Sequence, residues 1–406
     1  MQLLFADSLP EQAVAALESR GHTCVMEPGL GARDLAGRIA GFDALVVRST
    51  RVERDVFEAG DRLALVIRAG AGTNTIDTAA AAARGVLVAN VPGRNAAAVA
   101  ELTLGLLLAI DRRIADNVAD LRSGHWDKKR YSRADGLMGS TMAIIGLGSI
   151  GLAVAERAAA FGIHVQALAR NGRAAHVEAR VEELGITLLG SRQELVSSAD
   201  IVSLHVPSSD DTRNLVDEAF LGQMKKGAIL LNLSRGDVVD EAALLQALDA
   251  DAVRAGLDVF ADEPSSGTTE WKSRLAQHPN VVATHHIGAS TAQAQRAIAA
   301  GVVEIIDAFA AGEVRHCVNL APSRLGSATL TVRHLDRVGV LARVLDLLTR
   351  AGLNVEHMEN RVFRGGEAAV ASIDVAGATP DGLLAEIGAI PHVLGVSAVS
   401  FGDGAG

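Results

Sequence analysis

The sequence predicts an α/β protein with two doubly wound parallel-sheet domains and a small βαββαβ unit at the C-terminal side. Three observations carry this prediction. Short apolar runs alternate with helical patterns over most of the chain; the loop Gly146-Leu147-Gly148-Ser149-Ile150-Gly151 directly follows one such run; and from about Ser327 the pattern changes to alternating strands. A chain of 406 residues is long enough for two or three separate cores.

In the first part, Gln2–Ala6, Ala44–Arg48, Ala64–Arg68 and Val86–Ala89 read as apolar strands, separated by helical patterns such as Glu11–Arg20 and Thr78–Arg84. Strands spaced by helices imply a parallel sheet covered on both faces. Asn90-Val91-Pro92-Gly93 ends this stretch, and a long helix follows from about Asn95. A second α/β set starts with Thr141–Gly146 and continues through Val165–Ala169, Ile201–His205, Ala228–Asn232, Ala255–Asp258 and Val281–Thr284. After a linker at Ala321-Pro322-Ser323 comes the small unit. Its strand Thr329–His334 is followed by a helix with Val338, Leu341, Leu345 and Leu348 on one face, stopped by Gly352. Strands Asn354–Phe363 and Ala368–Val375, a helix starting at Thr379-Pro380, and a last strand Val393–Phe401 complete it.

Net charge is −10 and aromatics are 3%, which argues against nucleic acid, whose partners need basic surfaces and stacking platforms. Cys24 and Cys317 lack CxxC spacing and read as reduced, structural thiols. No basic segment followed by an apolar run opens the chain, and Leu102–Ile110 is too short to span a bilayer, so a soluble cytoplasmic protein is expected. No metal is expected.

The glycine loop has GxGxxG spacing between a strand and a helix. Gly146 permits the tight turn, Gly148 lets a pyrophosphate approach the backbone, and Gly151 lets the helix pack on the strand. The helix N-terminus then supplies amides and positive potential for the anion. An acidic residue is expected at the end of the next strand to bind the ribose, but Leu168-Ala169-Arg170-Asn171-Gly172-Arg173 stands there. No carboxylate repels a 2′-phosphate, and Arg170 and Arg173 could pair with one, so both NAD and NADP stay open.

Three further polar residues fall at strand ends, where sheet ligands sit. Arg235, in Asn-Leu-Ser-Arg-Gly, offers a planar fork for a carboxylate and a cation for an adjacent keto oxygen. His286 is a proton shuttle by residue type, with His285 its competitor. Glu263 would orient the imidazole and favour its charged form, and Asp262 could do the same on chemistry alone. Arg48 and Arg68 are strand-end cations beside Gly70-Ala71-Gly72, whose amides could serve a carboxylate. The run Trp126-Asp127-Lys128-Lys129-Arg130 is either a solvated face or a basic segment near the cleft.

These motifs, with Val47-Arg48-Ser49, Arg68-Ala69-Gly70-Ala71-Gly72-Thr73-Asn74 and His286-Ile287-Gly288-Ala289-Ser290-Thr291, resemble those of the D-isomer-specific 2-hydroxyacid dehydrogenases over essentially the whole chain. The resemblance selects His286, before Ile-Gly, and Glu263, before proline, as the catalytic pair with Arg235. It implies Rossmann-like domains: a substrate domain at 1–95 and 288–318, and a dinucleotide domain at 96–287 inserted within it. Ala169, Arg170, Val206, Pro207, Leu233, Ser234, Asp258 and Gly288 would join Gly146, Gly148, Ser149, Ile150 and Gly151 around the cofactor, Asp258 near the nicotinamide amide. Within the family the likeness is strongest to enzymes oxidising 3-phospho-D-glycerate to 3-phosphohydroxypyruvate, the opening step of serine synthesis, where arginines like Arg48 and Arg68 contact the phosphate. The unit at 327–402 resembles an ACT domain, a regulatory amino-acid-binding module, with His334, Asp336 and Asn354 at effector-contacting positions; an asparagine is usual where Asp336 stands. A homodimer or homotetramer is implied. An NADPH-dependent glyoxylate or hydroxypyruvate reductase and a non-catalytic dinucleotide-sensing corepressor are the alternatives.

Overall fold

The computed structural model describes residues 1–264, 268–321 and 326–401, so part of the expected linker (residues 322–323) and residue 402 lie outside the described residues. The chain forms two compact units, residues 1–319 and 320–406.

The first unit holds two parallel sheets. The first contains β1 (Gln2–Phe5), β2 (Thr23–Met26), β3 (Ala44–Val47), β4 (Leu65–Arg68) and β5 (Leu87–Asn90), in the order β2-β1-β3-β4-β5. The second contains β6 (Thr141–Ile145), β7 (His164–Leu168), β8 (Thr187–Leu189), β9 (Ile201–Leu204), β10 (Ala228–Asn232), β11 (Val253–Leu257) and β12 (Val281–Ala283), in the order β12-β11-β10-β9-β6-β7-β8. In this second sheet β6 lies between β9 and β7, so the strand order reverses at β6 and leaves a crevice at its carboxyl end.

Two strands, β2 and β8, escape the sequence reading. Both are edge strands. An edge strand has no neighbour on one side, and the residues of these two are half-buried or exposed rather than a continuous buried run. The central strands β3, β9 and β10 are buried at every position, and these the sequence shows plainly.

Each sheet is covered on both faces by apolar side chains. Leu104 and Leu107 of the helix Ala96–Asp111 pack with Met142, Ile144 and Leu231 of the second sheet. Ile298, Val302 and Ile306 of the helix Ala292–Ala310 pack instead with Leu3, Phe5 and Ile67 of the first sheet. After the second sheet the chain thus returns to the first. Gly301 is needed in that return, because a Cβ there would run into Val91. Beyond this helix, Val318 donates to Val88 O at 2.8 Å and the Asn319 side chain bonds both Val88 N and Val86 O, laying the segment along β5.

The second unit is a four-stranded antiparallel sheet of β13 (Ala328–Leu335), β14 (Asn354–Val362), β15 (Ala368–Ala376) and β16 (Val393–Ser400), in the order β14-β15-β13-β16. Two helices, Val340–Arg350 and Leu383–Gly388, supply Val344, Leu348, Leu383 and Ile387 to a core with Leu330, Val332 and Ile373. The expected helix face needs one correction. Val338 is fully exposed ahead of the helix; Gly339, at φ +87°, caps it, and Val340 takes the first buried position. The second helix likewise starts at Leu383, behind Gly382 at φ +88°, rather than at Thr379-Pro380.

Candidate active site and nucleotide loop

Strand β6 runs into Gly146, whose φ of +101° and contact with His205 O leave no room for a side chain. Gly151 is equally constrained, because a Cβ there would strike Gly146 O, whereas Gly148 faces open space. Gly148 caps the helix Ser149–Ala160; no side chain bonds its first amides and no acidic residue sits in its first turn. A tight turn, an open glycine and an uncapped positive helix end together fit the diphosphate of a dinucleotide. Val206 packs near Gly146 and Pro207 is exposed beside it. Leu233 is in the core, and the Ser234 hydroxyl bonds Asn232 Oδ1 at 2.7 Å.

At the end of β7, Ala169 and Arg170 are exposed. Arg173 folds back to donate to Leu168 O and Arg170 O, closing its own loop. Of the two arginines, only Arg170 is left facing outward.

The proposed catalytic residues are fixed by short-range geometry. Asn232 Nδ2 donates to Arg235 O at 2.8 Å, while its Oδ1 accepts from Ser234 N at 3.1 Å, so one buried amide closes the turn that carries Arg235. Gly236 follows because any Cβ would enter the Phe260–Ala261 backbone. Arg235 is a mostly buried cation, and desolvation holds its pKa below the ordinary value, opposed by Glu263 and Asp237.

His286 Nδ1 lies 2.6 Å from Glu263 Oε1, and Glu263 Oε2 accepts from Phe260 N at 3.4 Å. His285 makes no such contact, and Asp262 meets its surroundings through its carbonyl, which accepts from Trp271 Nε1 at 3.2 Å. Asp258 is 1% exposed, and its carboxylate accepts from Thr284 Oγ1 (2.5 Å), Ile287 N (2.9 Å) and Gly288 N (2.8 Å). Asp258 O also accepts from His286 N at 2.8 Å, so Asp258 holds the turn that presents the imidazole, with His286 at φ +50°. The Glu263 loop is held in turn by Glu241, which accepts from Ala261 N at 2.7 Å, and by Trp271, edge-on to Phe260.

A third group of residues makes a cationic floor. The Arg68 side chain folds across Gly70, which must lack a Cβ to admit it, and Arg235 Nη2 lies against Gly72 in the same way. Burial first, then the charges of Arg235 and Arg48, push the Arg68 pKa down to about 10, with Asp7 acting in the opposite sense. Arg68 stays a cation at neutral pH, and its buried Nε has no acceptor among the described residues. Three guanidinium groups from three strand ends therefore share one field. Gly70 N is already bonded to Arg68 O at 2.7 Å, so of the expected glycine-turn amides that one is not open to a ligand. Ala71 O accepts from Asn90 Nδ2 at 2.6 Å. In the basic run, Arg130 pairs with Asp120 at 2.8 Å and stacks near Tyr131, while Lys128 and Lys129 are exposed.

The expected effector trio does not converge within one chain. His334 is 1% exposed, with Nδ1 2.8 Å from Leu335 O and Nε2 3.2 Å from Asn360 Oδ1. His334 pairs with Ala369 but Asn354 with Ala376, which sets them seven residues apart along β15. At about 3.4 Å per residue that is roughly 24 Å. Asp336 N bonds Glu367 O, at the His334 end. Asn232, Glu241, Trp271 and Asp7 are the site residues that sequence reasoning missed. A polar residue at or just past a strand end was the available signal for Asn232 and Asp7.

Comparison with known proteins agrees with this geometry. Residues 104–288 match the family model for the NAD-binding domain of D-isomer specific 2-hydroxyacid dehydrogenases, and residues 328–392 match the ACT domain. A D-3-phosphoglycerate dehydrogenase of Methanocaldococcus jannaschii is 38% identical over 85% of this chain, which spans 65% of that relative's length. A hydroxypyruvate reductase of Thermotoga maritima is 39% identical over 74% of this chain and 95% of its own length. The solved structure of the TT0316 protein from Thermus thermophilus has a TM-score of 0.69 and 34% identity, covering 78% of this chain and 100% of that one. A dinucleotide loop at the sheet reversal, an arginine, a histidine–glutamate pair and near-complete coverage of a relative at 39% identity lead to one conclusion: the chain belongs to the D-isomer-specific 2-hydroxyacid dehydrogenases.

Proposed function

We propose that this chain oxidises 3-phospho-D-glycerate to 3-phosphohydroxypyruvate, the opening step of serine synthesis, with NAD or NADP. The observation that carries the reading is the shared field of Arg48, Arg68 and Arg235 beside the His286–Glu263 pair. Three cations suit a substrate with an anionic group at each end, and a hydroxy acid with one carboxylate needs fewer.

When bound, the nicotinamide supplies the hydride acceptor. Arg235 grips the substrate carboxylate and the reacting oxygen. His286 Nδ1 is held by Glu263, so Nε2 is the atom that takes the hydroxyl proton as the C–H bond breaks, and Glu263 stabilises the imidazolium formed. Arg48 and Arg68 hold the phosphate. Residues 1–95 with 288–318 act as the substrate lobe and 96–287 as the nucleotide lobe, closing on each other to exclude water.

Arg170, outward and with no ion-pair partner among the described residues, favours NADP and with it the second reading, a glyoxylate or hydroxypyruvate reductase. We infer that the chain works as a homodimer or homotetramer. The helix Ile114–Arg122 has no buried residue and exposes Ile114, Val118 and Leu121, with Trp126 81% exposed beyond it. Residues at i, i+4 and i+7 form one apolar stripe, as a subunit contact requires. The ACT domain is proposed to bind an amino-acid effector between two copies, which would bring a His334 end toward an Asn354 end.

His286→Ala should lower kcat by roughly 10²–10⁴-fold while dinucleotide affinity, read by fluorescence titration, stays within about twofold; undiminished turnover would refute the proton-transfer role. Arg48→Ala should raise KM for 3-phosphoglycerate about tenfold or more and leave that for D-glycerate nearly unchanged; equal effects would remove the phosphate assignment. Sedimentation at micromolar concentration should give a dimer or tetramer, and a monomer would reject the assembly.

A further inference from the structure

We propose that Asp7 is the positioning residue of the anion site, setting Arg48 toward the substrate phosphate and so contributing to the choice of a phosphorylated over an unphosphorylated acid. This rests on the proposed substrate reading and adds a residue to it.

Asp7 lies two residues past β1, whose pairing with β3 runs Leu3↔Ala44, Leu4↔Leu45 and Phe5↔Val46 and is extended by Ala6 N to Val46 O at 3.1 Å. That register brings Asp7 beside the chain leaving β3. One carboxylate oxygen, Oδ2, accepts from three successive amides: Arg48 N at 2.6 Å, Ser49 N at 3.1 Å and Thr50 N at 3.1 Å. Oδ1 accepts from Ser49 Oγ at 2.9 Å. Arg48, Ser49 and Thr50 therefore leave the strand in a tight curl wrapped around one anion, and the direction of the Arg48 side chain is set by that curl. The amides come from a segment more than forty residues away, so nothing local substitutes for Asp7.

Burial on its own would raise the Asp7 pKa, but the hydrogen bonds from Arg48, Thr50 and Ser49 outweigh it and hold the carboxyl below its ordinary value. The group is thus ionised throughout the neutral range. Its charge also acts on Arg68, in opposition to Arg235 and Arg48. Asp7 has two separable effects: it curls the backbone under Arg48, and it offsets part of the repulsion that Arg68 meets from Arg48 and Arg235.

Two variants separate these effects. Asparagine can keep the curl, with its carbonyl oxygen accepting the three amides and its amide donating to Ser49 Oγ, while losing the charge. Alanine loses both. The measurement is steady-state reduction of 3-phosphohydroxypyruvate and of hydroxypyruvate by the full-length enzyme, with melting temperature as a folding control. Asp7→Ala should raise KM for the phosphorylated acid roughly 10–100-fold, with kcat and the KM for hydroxypyruvate within about threefold. Asp7→Asn, which keeps the curl and removes only a negative charge, should hold KM for the phosphorylated acid within about fivefold of wild type. Should the alanine protein fail to fold, Asp7→Ser, whose shorter side chain reaches fewer of the three amides, takes its place with the same selective rise expected. Equal rises for both acids, or no rise in the alanine or serine protein, would overturn the positioning role. A wild-type enzyme without preference for the phosphorylated acid, and insensitive to Arg48→Ala, would instead overturn the substrate reading and this inference with it. A preference that survives Asp7→Ala overturns the inference alone.

Discussion

Parallel strands deliver all their carboxyl ends to one side of a sheet, and in this chain that geometry concentrates like charge. Arg48 follows β3, Arg68 ends β4 and Arg235 follows β10 of the second sheet; burial first, then the charges of Arg235 and Arg48, bring Arg68 down to about 10. Such a cluster is unfavourable by itself. It persists because glycines at 70 and 72 let the guanidinium groups lie against backbone and because Asp7 and Glu263 set negative charge nearby.

The same edge explains how the proposed proton-transfer group is held. His286 sits in a turn at φ +50°, a conformation that costs a side-chain-bearing residue energy, and Asp258 offsets that cost with a carboxylate bonded to Ile287 N and Gly288 N. The Glu263 loop is tied down by Glu241 and Trp271. His286 and Glu263, the proposed catalytic pair, are thereby fixed by neighbouring residues, which is how a site keeps its geometry before a ligand arrives.

What was legible in the sequence follows from range. The glycine loop reads directly because its strand, turn and helix are contiguous, and Gly146 and Gly151 are demanded by contacts only a few residues wide or at the adjacent strand end. His286 and Glu263 were separable from His285 and Asp262 by family resemblance but not by residue type; the 2.6 Å contact now distinguishes them physically. Asp7 and Asn232 left only a weak trace, a polar residue at or just past a strand end, because their partners are mostly backbone amides and carbonyls, which carry no sequence signal. The separation of His334 and Asn354 within one chain was not legible, because it is set by sheet register, which places them toward different ends of β15.

Whether the arginine cluster selects a phosphorylated acid is tested most directly by steady-state reduction of 3-phosphohydroxypyruvate, hydroxypyruvate and glyoxylate, each with NADH and NADPH. Two additional charge-assisted contacts should make kcat/KM at least about 100-fold higher for the phosphorylated acid. Equal or higher kcat/KM for the unphosphorylated acids would contradict that selection and move the protein to the reductases of its family.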